Sequence, residues 1–172
     1  YSCEKPCTPE FLICGISIGI FRLLNRPMAR MTTGVPKPIL SPMQKREQIA
    51  RRIGAALGYN ECVTYSFIDH ASAILFGGGD DATMLANPIS SEMSHMRPDL
   101  LPGLLLAAAR NQARGIMDLA LFELGHAFHG GEPEEQHLML SGILVGKTGA
   151  KDVHGASRPV DAFDAKADAE AV

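Results

Sequence analysis

Nothing in this chain limits its possible folds more than two apolar runs of nearly equal length. Leu119–Phe128 ("LALFELGHAF") and His137–Val145 ("HLMLSGILV") are separated by the polar, glycine- and proline-bearing "HGGEPEEQ". Together they read as two strands of an antiparallel hairpin joined by a longish loop. In the first strand Phe122, Leu124 and Phe128 share one side, while Glu123 and Gly125 lie on the other. Immediately upstream, Leu100 to Arg114 reads as a helix. Asp99 is its N-cap candidate, Pro102 is tolerable because it falls in the first turn, and Gly115 ends it. Its "LLLAAAR" centre is apolar almost all round, which predicts burial on more than one side.

Further upstream the signals alternate between helix and strand. Ser41–Pro42–Met43–Gln44 is a capping box with proline at the first helical position. Ile49, Ile53 and Leu57 then make an apolar stripe at helical spacing, and Gly58 stops the helix. Lys45, Arg46, Arg51 and Arg52 fall off that stripe. They read first as a solvated face, with contact to an acidic partner or RNA as the alternative. "ECVTYSF", Glu61–Phe67, alternates with Val63, Tyr65 and Phe67 on one side, the pattern of a half-buried strand. His70–Leu75 reads as a short helix, and Met84–Ala86 as a short strand closing at Asn87–Pro88. In the tail, "RPVDAF" begins as a short strand or loop, and Asp164–Val172 as a helix inside which the chain stops. Residues 1–33 are the least legible. "GISIGIFRLL" fits a strand or a short helix, and Thr33–Pro38 an extended linker.

The 172 residues suffice for one domain with a sizeable core, and a net charge of −3 gives no global pull toward nucleic acid. No apolar run reaches the length of a membrane span, and Phe11–Ile20 lacks the basic start of a signal peptide. Cys3, Cys7, Cys14 and Cys62 show neither disulfide nor zinc spacing, which suits reduced thiols and a cytoplasmic location.

Glu123 sits mid-strand among apolar residues, where a buried carboxylate needs a partner. An arginine is the natural one. Arg97 is expected to fix its turn by bonding loop carbonyls or an acid such as Asp99 or Glu123, with phosphate binding as the alternative. Asn87 and Ser90 are expected to cap or close the preceding turn. His126, His129 and His137 invite a metal, but residues three apart on a strand point to opposite sides, so no metal site is expected. Neither a Gly-x-Ser-x-Gly elbow nor a phosphate-cradling glycine loop followed by lysine is present.

"RRIGAALGYNECVTYSF", "LANPISSEMSHMRPDLLPGLLLAAARNQARG", "LALFELGHAF" and "RPVDAFDAKADAEAV" together resemble the synthetase-like core domain of the bacterial phenylalanyl-tRNA synthetase beta chain, over roughly Lys37–Val172. The resemblance implies an α+β fold, a mainly antiparallel sheet flanked by helices, of class II aminoacyl-tRNA synthetase type. Residues 34–172 would form that core, cut short at the C-terminus, and residues 1–33 the end of a preceding domain. It marks Arg97, Glu123, Phe128 and His129 as positions of a degenerate motif. Active class II enzymes carry arginine after the strand's phenylalanine to bind the α-phosphate, whereas this strand ends Phe128–His129. A largely neutral imidazole lacks the arginine fork. The resemblance therefore implies a domain with no catalytic residue and no cofactor of its own, packed against a catalytic alpha chain in an α2β2 enzyme. ATP, magnesium and tRNA(Phe) would belong to the whole assembly. The Leu100–Ala109 and Ser41–Leu57 helices are candidate contacts with that alpha chain. The alternative is a stand-alone class II paralogue binding a nucleotide or amino acid.

Overall fold

The computed structural model describes residues 14–19, 39–148 and 157–172. The cysteines at 3 and 7, the 33–38 linker and the boundary at residue 33 lie outside the described residues. The long hairpin is the centre of the fold. Strands β5 (Leu119–Phe128) and β6 (Gln136–Val145) pair antiparallel throughout, Leu119 opposite Val145 and Phe128 opposite Gln136. The chain order of the remaining elements is β1 (Cys14–Gly19), α1 (Pro42–Ala56), β2 (Asn60–Glu61), β3 (Phe67–Ile68), α2 (His70–Leu75), β4 (His95–Met96), α3 (Leu101–Gln112) and, at the end, α4 (Ala162–Ala171). β1 adds antiparallel to the outer edge of β6, and β2 adds parallel to β5, giving the order β1-β6-β5-β2. The sheet is therefore mixed but mainly antiparallel, with β2 its one parallel addition among the described residues. β3 and β4 form a separate two-stranded antiparallel pair.

Helices cover both faces of the hairpin. Leu104 and Ala108 of α3 pack with Leu121, Ile143 and Val145 on one face; Ala50 of α1 packs with Phe122, Leu124 and Leu140 on the other. That is why Leu121 to Leu124 are all buried in a row instead of alternating with solvent. Each large side chain so buried stabilises the fold by roughly 1.5–3 kcal/mol. α4 closes over the α1 side, where the Tyr59 hydroxyl donates to Asp168 at 2.7 Å.

The capping box of α1 forms as the sequence predicts. The Gln44 amide donates to Ser41 Oγ, and the Ser41 amide to Gln44 Oε1. Its other end is closed by Gly58 at φ 88°, with the Gly58 amide bonded to the Ala55 carbonyl and that of Tyr59 to Gly54. The expected apolar stripe, however, is not the buried one. Ala50 and Gly54 face the sheet, while Ile49 and Leu57 are exposed. The sheet presents the Phe122 ring there, so the smallest residues take the contact and the branched ones are turned aside.

Further expectations are corrected or refined. The segment 61–67 is not one half-buried strand. Only its ends pair, and Val63 and Tyr65 are 92% and 73% exposed. The period of two survives with its sense inverted, since Cys62, Thr64 and Ser66 are the partly buried set. α3 turns Leu104 and Ala108 to the sheet and is covered a second time at its first turn, where Pro102 is buried and Gly103 lies against Thr64, while Leu106 is left half exposed. Met84 makes an isolated bridge to His95 instead of a strand. The tail helix starts earlier than read, at Ala162, because Asp161 and Asp164 form a reciprocal capping box.

Candidate functional site

Glu123 is held near the middle of β5 by the ladder to Ser141, on the face opposite Phe122. Its carboxylate is 3% exposed and faces Arg97, which follows β4 and is 4% exposed. Arg97 Nη1 donates to Glu123 Oε1 at 2.8 Å and to Thr64 Oγ1 at 2.9 Å, and Nε donates to the His126 carbonyl at 2.9 Å. The Thr64 hydroxyl donates onward to Glu123 Oε2 at 2.7 Å, and the Thr64 amide to Oε1 at 3.3 Å. Main-chain bonds tie the same segments together: Arg97 amide to Ser66 carbonyl, and Phe128 amide to Arg97 carbonyl, both at 2.9 Å. Arg97 thus spends its charge on an internal acid and a carbonyl; of the two acids the sequence offered, it bonds Glu123 rather than Asp99.

Asp99 caps α3 from one residue outside the N-cap position. Leu100 holds that position, and Asp99 Oδ1 accepts the Leu101 amide at 2.8 Å. Asn87 lies in an exposed bend. Ser90 closes its turn through its carbonyl, which accepts the Met93 amide at 3.0 Å, and its side chain makes no capping bond.

At the hairpin tip, Phe128 is half-buried and His129 exposed. The His129 amide donates to the Glu135 carbonyl at 3.0 Å, and its ring stands 5.1 Å from that of His137. The loop between carries Glu132, Glu134 and Glu135, and Glu135 folds back to accept the Glu132 amide. The tip is therefore imidazole and carboxylate. His126 sits opposite Leu138 while His137 sits opposite Ala127, so the three histidines do not converge. Among the described residues no group of three or more histidine, cysteine or acidic side chains is placed to hold a metal.

Sequence reasoning missed Thr64. Its one signal was parity: it occupies the face of the 61–67 segment opposite the apolar residues. Cys62, on the same side, has its thiol pKa pushed up by burial and secondarily by the Glu123 carboxylate.

Residues 27–172 match the model of the phenylalanyl tRNA synthetase beta chain CLM domain. The chain belongs to the phenylalanyl-tRNA synthetase beta chain family. It is 72% identical over 151 residues to the phenylalanine–tRNA ligase beta subunit of Ruegeria pomeroyi, covering 88% of this chain and 19% of that protein. Against the beta subunit of Cereibacter sphaeroides the identity is 66% with the same coverage, and against that of Paramagnetospirillum magneticum it is 49%, covering 83% of this chain and 18% of that protein. This beta-chain domain spans about a fifth of the length of the curated relatives it matches. The stand-alone paralogue is not favoured by these relatives. Among the described residues no helix is long and apolar enough to cross a membrane.

Proposed function

We propose that this beta-chain domain is a non-catalytic class II synthetase-like core, a surface on which the catalytic alpha chain assembles in a cytoplasmic α2β2 phenylalanine–tRNA ligase. The assembly charges tRNA(Phe) with phenylalanine using ATP and magnesium, and the chemistry belongs to the alpha chain. The observation that carries this reading is the outward presentation of Val63 and Tyr65, 92% and 73% exposed, from a segment anchored to a buried ion pair. Covering two such side chains contributes roughly 1.5–3 kcal/mol each. A second contact of the same kind lies on α1, where exposed Ile49 is flanked at helical spacing by exposed Lys45 and Arg52. This combination suits an acidic-rimmed apolar partner.

The non-catalytic half of the reading is supported by the hairpin tip. Adenylate formation places charge on the α-phosphate, and its stabilisation leans on permanent cations. The tip offers an imidazole at His129, and its loop carries Glu132, Glu134 and Glu135, with no arginine or lysine among them. Removing an arginine contact of that type costs on the order of 10²–10³ in rate.

The test uses full-length beta chain co-expressed with its alpha chain. Val63→Glu combined with Tyr65→Glu is expected to abolish co-purification while leaving the beta chain folded. Undiminished recovery of the complex sinks the assembly reading. The beta chain alone is expected to take up no ATP in a calorimetric titration, and micromolar binding contradicts the non-catalytic reading.

A further inference from the structure

Val63 and Tyr65 face outward because the residue between them is held inward. Thr64 turns its hydroxyl onto both halves of the buried pair: it donates to Glu123 Oε2 at 2.7 Å and accepts from Arg97 Nη1 at 2.9 Å. Its amide adds a third bond to Glu123 Oε1. From the other side α3 presses on it. Gly103 lies so close that any side chain there would collide with Thr64 Oγ1. In an extended segment neighbouring side chains point to opposite faces, so fixing Thr64 fixes Val63 and Tyr65. Beyond Thr64 the chain is pinned again, by the Arg97 amide on the Ser66 carbonyl.

We propose that Thr64 is a positioning residue for alpha-chain docking: through the buried Arg97–Glu123 pair it sets the direction in which Val63 and Tyr65 are offered to the partner. This rests on the assembly reading above. The segment has its own strand-like alternation, and Val63 and Tyr65 on its apolar side are left unused by the interior. Release of Thr64 lets the segment turn that apolar side inward, withdrawing the docking pair without changing its composition.

The experiment measures association of full-length beta chain with its alpha chain. Thr64→Val keeps the shape and deletes the hydroxyl; Thr64→Ser keeps the hydroxyl. Thr64→Val is expected to weaken association about tenfold, with faster hydrogen exchange at the amides of residues 63–65. Thr64→Ser is expected to bind as the natural chain does. Ile143→Ala, which opens a cavity in the fully buried core, controls for a general loss of stability. It is expected to lower the melting temperature with little effect on association. Unchanged affinity in Thr64→Val overturns the proposal, as does an equal loss in Ile143→Ala or in Thr64→Ser. If Val63→Glu with Tyr65→Glu leaves the complex intact, the assembly reading itself falls, an outcome distinct from failure at Thr64 alone.

Discussion

Gly54 of α1 lies flat on the ring of Phe122 in β5: a Cβ at position 54 would stand 3.1 Å from Cζ and 3.2 Å from both Cε atoms. The helix approaches the sheet this closely because the residue has no side chain. Gly54→Val is expected to lower stability by about 1–3 kcal/mol through forced displacement of helix or ring. Gly54→Ala is expected to stay within about 1 kcal/mol of the natural chain, since gained helix propensity offsets a contact tight by a few tenths of an ångström. Urea denaturation of the two variants checks the ordering, and equal stability of Val and Ala at this position contradicts it.

The Arg97–Glu123 pair is nearly inaccessible to water, so its halves depend on each other. Arg97→Met alone or Glu123→Leu alone leaves a buried charge without its partner and is expected to cost about 3–5 kcal/mol. The double variant is expected to be more stable than the sum of the two losses implies. A double-mutant cycle from denaturation curves measures the coupling. Strict additivity shows that the two side chains act independently.

Asp69 caps α2. Its carboxylate accepts the Ser72 hydroxyl at 2.6 Å and the Ser72 amide at 2.9 Å, and these bonds, the hydroxyl first, hold its pKa below the ordinary aspartate value. A depressed folded pKa means the contribution is present above the unfolded aspartate value, near 3.9, and is lost as pH falls through the folded one. Asp69→Ala is expected to cost about 1 kcal/mol at neutral pH. The gap between this variant and the natural chain should close as pH falls below about 4. Melting temperatures across that range test the sign, and a gap that widens on acidification refutes it.

Cys62 carries a thiol whose ionisation is disfavoured by burial and by the Glu123 carboxylate. Its thiolate is the reactive form, so alkylation at pH 8 is expected to be slower than for a free small thiol. Peptide mapping after iodoacetamide treatment reads the rate at this cysteine, and a rate equal to or above that of the free thiol is the contrary result.

The helices and the hairpin were legible because their signals are local. Ser41 and Gln44, Gly58, Asp99, Gly115 and the polar turn after Phe128 each act within a few residues of chain, and each appears where the sequence predicts, give or take a residue. The pairing of Arg97 with Glu123 was legible for a related reason: a carboxylate in an apolar strand has few ways to be buried. The direction of the 61–67 segment was not legible. Val63, Tyr65 and Phe67 make a clean alternation, but alternation states only that two faces differ, not which of them turns inward.

That choice was made by contacts distant in the chain. Arg97, Gly103 and Glu123 close on Thr64 from three separate segments, so the small hydroxyl side goes in while Val63 and Tyr65 stay out. The same holds for α1, whose amphipathic period is written in its residues while the contacting stripe, Ala50 and Gly54, was selected by the Phe122 ring beneath it. Sequence by itself determined where the longer helices and the hairpin lie and which residues carry charge or apolar surface, because capping, turn chemistry and periodicity are properties of neighbours. Only the tertiary structure decided which face of each element is used, because that depends on the space and hydrogen-bonding groups offered by residues tens of positions away.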